Sequence, residues 1–375
     1  MMDTNDYQRV HIDSWLLFCV VMLVGLGVTM NYSASAVLAQ ERYGDSYFFL
    51  KRTLGFALLG FTAMVFTTRF AYGRYRSLVY PILVLTMLMV GAVFVPGVGR
   101  TIGGANRWIH LGPVTFQPSE AAKLAMIIFL AYSLEKKSRH IRSFGVGFLS
   151  HMIFMGVVAG CILYQKDLGA ATTIAVITWF MMFVAGVRVP YLVSVGILAL
   201  PVIGMLVAGT GYRRRRILAF LNPWNDQYGS GYQIIQSFLA FNEGGWFGKG
   251  LGQGQQKLFY LPEAHTDFIF SVIGEELGLL GVLLIIGLFC FFCYRGLRIS
   301  LGAPDMFGRY LAIGCTMLIG LEAALNMAVV MGMLPTKGLT LPFISYGGSS
   351  LVVSLAAVGV LLNISTYKRV EKAWA

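Results

Sequence analysis

Ten long apolar runs, separated by short polar connections, set the pattern of this chain. They lie near 15–38, 53–68, 77–96, 118–134, 144–164, 169–187, 189–209, 267–294, 308–332 and 343–365. The runs are continuous rather than alternating, so they predict helices and not barrel strands. Each approaches the roughly 20 residues that a helix needs to cross a bilayer core. The expected fold class is all-α: a polytopic membrane protein of about ten transmembrane helices forming one integral domain over 1–375. Two connections are longer than the rest. One spans 97–117 (GVGRTIGGANRWIHLGPVTFQ) and the other 210–266. The second is too long for a passive link, and its aromatic and charged residues predict a segment folded partly over the membrane.

Composition narrows the class further. Of 375 residues, 57% are hydrophobic and 12% charged, and mean hydropathy is +0.70. Globular proteins carry roughly twice that charged share. A soluble enzyme, a disordered tail and a disulfide-stapled secreted domain are excluded. Ala34-Ser35-Ala36 has the look of a signal-cleavage site. Its leading segment, however, sets Arg9 against Asp3, Asp6 and Asp13, and the apolar core is long, so an uncleaved helix is expected. Cys19, Cys161, Cys290, Cys293 and Cys315 all fall within apolar runs. Cys290 and Cys293 have C-x-x-C spacing, but no second pair or nearby His completes a metal site, which leaves membrane packing.

The net charge of +12 comes from 29 Lys+Arg against 17 Asp+Glu. The cations sit in short connections, which fits the positive-inside rule or an anionic ligand rather than nucleic acid. With the N-terminus in the cytoplasm, the inner segments hold Arg9, Arg69, Arg74, Arg76, Lys136, Lys137, Arg139, Arg142, Arg188, Arg295, Arg298, Arg309, Lys368, Arg369 and Lys372. The short outer connections hold only Arg42, Lys51, Arg52, Arg100, Arg107, Lys166 and Lys337. That asymmetry puts both termini in the cytoplasm and both long connections, 97–117 and 210–266, outside. The inner segments are too small for a nucleotide-binding fold, and no phosphate-binding P-loop is present, so no nucleotide is expected.

Ionisable residues at membrane depth are expensive and suggest function. Glu120, Lys123, Asp267, Glu275, Glu276 and Glu322 qualify, with Asp167 at a run edge. Glu120 and Lys123 share a helix face. They form either a self-neutralising couple or a cation held for an anionic substrate. Ser119 is a candidate cap. Asp267 follows Glu263, His265 and Thr266 where the long outer segment enters a run. Thr266 or Asp267 capping a helix explains one of these groups. A half-buried carboxylate at that place is also a good general base. Glu275 and Glu276, flanked by Gly274 and Gly278, read as a bundle-facing pair or a helix break. Glu322 either faces a cavity or pairs with a residue not identifiable from sequence. Arg213, Arg214, Arg215 and Arg216 read as a stop-transfer cluster, or, placed outside, as a site for lipid headgroups or a pyrophosphate. Glycines 248, 250, 252 and 254 read by default as a flexible loop. Gly347-Gly348 suggests a sharp bend before the last run.

Five segments together resemble one family: LPEAHTDFIFSVIGEELG (261–278), GMLPTKGLTLPFISYGGSS (332–350), ANRWIHLGPVTFQPSEAAKL (105–124), QKDLGAATT (165–173) and RRRRILAFLNPWNDQYGSGYQ (213–233). They are similar to the SEDS glycosyltransferases of bacterial cell-wall synthesis, and the match runs in order along nearly the whole chain. The 332–350 segment is closer to the division branch, FtsW, than to the elongation branch, RodA. Lys166 departs from the family, which has proline there, and puts the local turn in question. The resemblance implies a ten-helix enzyme that polymerises lipid II on the outer face of the inner membrane, with Asp267 as the catalytic aspartate. Glu120, Lys123 and Asp167 are implied to face the same central cavity, and Trp108 to lie in an outer motif important for activity. His265 and Ser345 fall within the same motifs and are carried as substrate-binding candidates. Lys123 or Arg213–Arg216 would meet the pyrophosphate charge, and a divalent cation, magnesium or manganese, would suit that chemistry. The implied partners are a class B penicillin-binding protein (an FtsI-like transpeptidase) and the FtsQ–FtsL–FtsB complex at the division septum. Two other classes share part of this evidence: a lipid II flippase using the carboxylates as a proton path, and a scaffold that only recruits the transpeptidase.

Overall fold

The computed structural model describes residues 7–9, 11–102, 105–112, 114–208, 211–229, 231–258, 260–336 and 338–369. Ten long helices match the ten predicted runs. They are α1 (Ser14–Tyr43), α2 (Phe48–Arg69), α3 (Tyr75–Ala92), α4 (Pro118–Lys136), α5 (Ser150–Tyr164), α6 (Leu168–Val184), α7 (Val189–Ala208), α10 (Ile269–Gly302), α11 (Met306–Val330) and α12 (Gly348–Ser365). Two further helices, α8 (Gly211–Leu221) and α9 (Tyr232–Gly244), lie within the long 210–266 segment. The earlier connection is structured too. Strands β2 (Gly99–Ile102), β3 (Ala105–Leu111) and β4 (Val114–Phe116) form an antiparallel meander. Helix α1 runs unbroken through Ala34-Ser35-Ala36, with Ala34 and Ser35 buried.

The bundle centre is α4, α11 and α12, with α6 and α10 packed around them. Lipid-facing positions keep large apolar side chains such as Leu58, Phe66 and Leu88 exposed, as a bilayer solvent requires. The chain ends meet. Strand β1 (Tyr7–Arg9) pairs antiparallel with β5 (Tyr367–Arg369), and Asp13 binds Arg295 through two nitrogens. Both ends therefore lie on one face, opposite the β2–β3–β4 sheet.

Helix α10 is broken where the sequence suggested. Gly278 adopts φ 65°, ψ −164° inside it. The glycine-rich segment docks into this break instead of remaining loose. Lys249 and Gly250 donate their amides to the carbonyls of Glu275 and Glu276, while Leu279 and Leu280 donate to Gly245 and Trp246. The backbone groups freed by the break are thus repaired, as membrane depth demands. Glu275 accepts from the amides of Gln255 and Gln256; Glu276 accepts from Gly252, Ser33 and Lys257. A side chain at Gly278 would strike the backbone of Trp246 and Gly248, so glycine is required there.

Candidate active site

Asp267 stands just before α10, between the 263–268 turn and the 336–346 segment. Each segment is pinned by its backbone. Asn326 of α11 donates to the carbonyls of Asp267 (2.9 Å) and Leu339 (2.6 Å), joining the two. Ser345 Oγ donates to the Thr266 carbonyl (2.6 Å) and accepts from the Leu341 amide (2.8 Å). Tyr346 donates its amide to the His265 carbonyl. From α1, Asn31 donates to the Ile344 carbonyl. Glu263 holds φ 56°, a conformation uncommon outside glycine, and its carbonyl collects the amides of Thr266 and Phe268.

These contacts settle the capping question. The residue before α10 is Phe268, which supplies no side-chain cap, and Thr266 Oγ1 bonds Glu263 instead. The Asp267 carboxylate caps nothing. It is half-buried, with one oxygen beside Gly338, and makes no hydrogen bond or ion pair among the described residues. Burial pushes its pKa up from 3.8 to about 7; Glu263 pushes the same way, while Arg216 and Arg107 pull it down. A carboxyl poised near neutrality, with one side open and two guanidinium groups within electrostatic reach, is suited to proton abstraction beside an anion.

The candidate residues divide by position. Arg216, on α8, donates to the Thr336 carbonyl (2.9 Å) and acts on Asp267. Arg215 is exposed; the side chains of Arg213 and Arg214 lie outside the described residues, as does Lys337. Trp108, on β3, is half-buried and pairs with Arg100 across the sheet. His265 rests its ring on Phe49 and Tyr346, and burial lowers its pKa from 6.5.

Three candidate residues have partners within the protein. Lys123 is 3% exposed and held between Glu120 and Glu322, so it forms a closed triad and offers no face to a substrate anion. Glu322 is the missing partner, and the triad explains how a lysine lies at this depth. Asp167 is buried and saturated: it caps α6 through the Ala170 amide and accepts from Ser119 and Gln117. Ser345, too, is spent on the backbone clamp. The turn before Asp167 also departs from a proline turn. Lys166 has φ 61°, which proline cannot adopt, and its amide donates to Leu163.

Sequence reasoning missed one residue. Arg107 of β3 donates to the Lys166 carbonyl, retains a buried Nε–H without a partner among the described residues, and acts on Asp267. Its sequence position marks it only as an outer cation. Among the described residues no cluster of three His, Cys, Asp or Glu side chains could hold a metal. Asp267 and Glu263 supply hard oxygen ligands, and magnesium is commonly held by one or two carboxylates together with substrate phosphates. That pair fits a cation shared with a phosphorylated substrate, not a metal cage of the protein's own.

Fold and site together define a polytopic helical membrane protein with a poised carboxyl at the rim of its bundle, flanked by arginines. The family model described as "Cell cycle protein", for FtsW, RodA and SpoVE, matches residues 14–370, and the chain belongs to that family. It is 52% identical to a probable peptidoglycan glycosyltransferase FtsW of Geobacter sulfurreducens, covering 94% of this chain and 95% of that one. A chain from a structure of a peptidoglycan synthase complex, concerned with coordination of polymerization and crosslinking, aligns at TM-score 0.78 and 31% identity, covering 94% of this chain and 97% of that one. The rod-shape-determining protein RodA of Thermus thermophilus aligns at TM-score 0.67 and 28% identity, covering 94% and 96%.

Proposed function

We propose that the chain is a peptidoglycan glycosyltransferase that polymerises lipid II, with Asp267 as its general base. Asp267 takes the proton of the acceptor C4 hydroxyl as that oxygen attacks C1 of the donor sugar. The new C1–O bond forms while the bond from C1 to the phosphate oxygen breaks, and polyprenyl pyrophosphate departs with the electron pair. An α-linked donor yields a β-linked product, so one base suffices and no glycosyl-enzyme forms. Arg107 and Arg216 meet the leaving charge; Glu263 and Asp267 would hold a magnesium or manganese ion, which would supply further charge neutralisation. The observation that carries this reading is the Asp267 carboxyl, without a hydrogen-bond or ion-pair partner among the described residues, raised to about 7 by burial and within electrostatic reach of those two arginines.

The likeness to a synthase complex that couples polymerization with crosslinking supports a class B penicillin-binding protein as partner. The FtsW likeness extends this to an FtsI-like transpeptidase, the FtsQ–FtsL–FtsB complex and the septum. The basic face carrying both chain ends is cytoplasmic and the Asp267 rim periplasmic, in the inner membrane. Flippase action is not favoured, because the Lys123 triad is closed by its own partners. Purified protein in detergent, where no two sides exist, should build glycan strands from lipid II. Transport in vesicles without polymerisation in detergent would reverse the reading.

A further inference from the structure

The outer ends of α1 and α2 carry aromatic and basic residues that take no part in the transfer step: Arg42, Tyr43, Tyr47, Phe48 and Arg52. Their rings are ordered. Tyr43 stacks on Phe48 at 3.9 Å and meets Phe49 edge-on at 5.8 Å. Phe49 in turn meets Tyr346 edge-on at 5.1 Å and His265 at 4.9 Å. Arg52 lies over Phe48, 4.5 Å from its ring centre, and interacts with the Tyr346 hydroxyl. A wall of rings thus leads from His265, two residues before Asp267, outward to Tyr43. Phe49 is buried and supports it, while Tyr43 and Tyr47 are more than half exposed.

Height and charge set this wall apart from the aromatic belt that anchors helix ends at a membrane surface. Helix α1 runs from Trp15 to Tyr43 without a break. At 1.5 Å per residue that is about 42 Å, against a hydrocarbon core of roughly 30 Å, so Tyr43 stands about 10 Å beyond the lipid core. Glu263 acts on both Asp267 and His265, which places the start of the wall beside the reacting carboxyl. The cations on the two sides differ. Arg107 and Arg216 act on Asp267, whereas Arg42 acts on His265. Lys51 is paired with Asp45; Arg42 and Arg52, with one exposed carboxylate, Glu41, near them in the chain, keep the wall basic.

A ligand for this wall has flat apolar faces, polar edges and negative charge, and reaches Asp267. Pyranose rings supply the first two, since their C–H faces lie on aromatic planes while their hydroxyls stay hydrated. We propose that the wall is a saccharide subsite that keeps the growing glycan strand on the enzyme between transfers. Sugar rings rest on Tyr43 and on the His265–Tyr346 pair, and Arg42 and Arg52 take the carboxylates of the strand's peptides. The assignment rests on the glycosyltransferase reading and adds a product-holding site to it. At the usual strength of one aromatic contact, loss of a single ring weakens the hold about three- to tenfold.

Tyr43→Ala and Arg52→Gln change exposed side chains and leave the Phe49–His265–Tyr346 packing in place. The full chain with its transpeptidase, in detergent with lipid II, should make strands about three- to tenfold shorter with either variant, while disaccharide incorporation slows less than about twofold. Detergent removes the bilayer, so a belt that only anchors helix ends predicts no shortening. Tyr43→Trp should restore parental length and Tyr43→Leu should not. Separately, benzoylphenylalanine in place of Tyr47 should cross-link to a lipid-free glycan tetrasaccharide bearing its peptides, with competition by the unlabelled fragment and not by phospholipid. Length and rate falling together would make the wall structural support and overturn the proposal. Parental lengths from both variants, full length from Tyr43→Leu, or cross-linking displaced by phospholipid would each overturn it as well, with strand synthesis by the parent untouched. A parent chain that cross-links to the fragment but makes no strand from lipid II would sink the glycosyltransferase reading while leaving the saccharide site intact.

Discussion

Replacing Asp267 by asparagine should do two things at once: abolish glycan synthesis and stabilise the fold, the second only at high pH. The carboxyl titrates at about 7 in the folded chain against 3.8 when unperturbed, chiefly because burial disfavours its charge. The folded state therefore binds this proton more tightly than the unfolded state. Stability falls as pH climbs from about 4 to 7 and is level above that. At about 1.36 kcal/mol per pKa unit the full shift corresponds to roughly 4 kcal/mol. Asp267 is only half-buried, so screening reduces this to on the order of 1–2 kcal/mol. Asparagine carries no charge and escapes the penalty. Denaturant unfolding in detergent, followed by tryptophan fluorescence, should show the variant more stable by about 1–2 kcal/mol at pH 8, with the gap mostly closed by pH 4.5. A gap independent of pH, or a variant less stable at pH 8, would refute the claim that burial strains this carboxyl.

Three further outcomes follow from the same contacts. Polymerisation rate should rise through about pH 7 as Asp267 ionises. Arg107→Gln or Arg216→Gln should move that limb up by roughly half to one unit and Glu263→Gln should move it down, read from initial rates between about pH 5.5 and 9. Lys123→Met leaves two buried carboxylates without a cation and should cost about 3–5 kcal/mol in unfolding assays; adding Glu120→Gln and Glu322→Gln should recover most of it, and no recovery would mean the triad is not what holds the lysine. Glu275→Gln weakens the acceptor of the Gln255 and Gln256 amides; at about 1–3 kcal/mol per lost buried bond, tryptic cleavage after Lys249 should speed up roughly tenfold, and unchanged cleavage would show that the segment is held elsewhere.

The spans were legible because apolar continuity over a bilayer's width has few other solutions. The break at Gly278 was also legible, from two carboxylates between glycines. What it was for could not be read, since the partner segment comes from residues 245–257 and pairing across that separation leaves no local signal. The glycines looked flexible for the same reason; their order comes from α10. Lys123 with Glu120 was visible at i,i+3, but Glu322 lies on another helix and only packing joins them. Asp167 showed as a charge at a run edge; that it caps α6 through the Ala170 amide and accepts from Ser119 and Gln117 could not be read, because Ser119 and Gln117 lie on another element. Arg107 was hidden among the outer cations, its Nε–H, without a partner among the described residues, being a product of sheet geometry in a segment that showed no strand pattern.

The most direct test of the central claim is strand synthesis from purified lipid II by the chain together with its transpeptidase, comparing the parent with Asp267→Asn. The account predicts long glycan strands from the parent and none from the variant, with lipid II binding and partner association retained in both. Strands of normal length from the asparagine variant would contradict it.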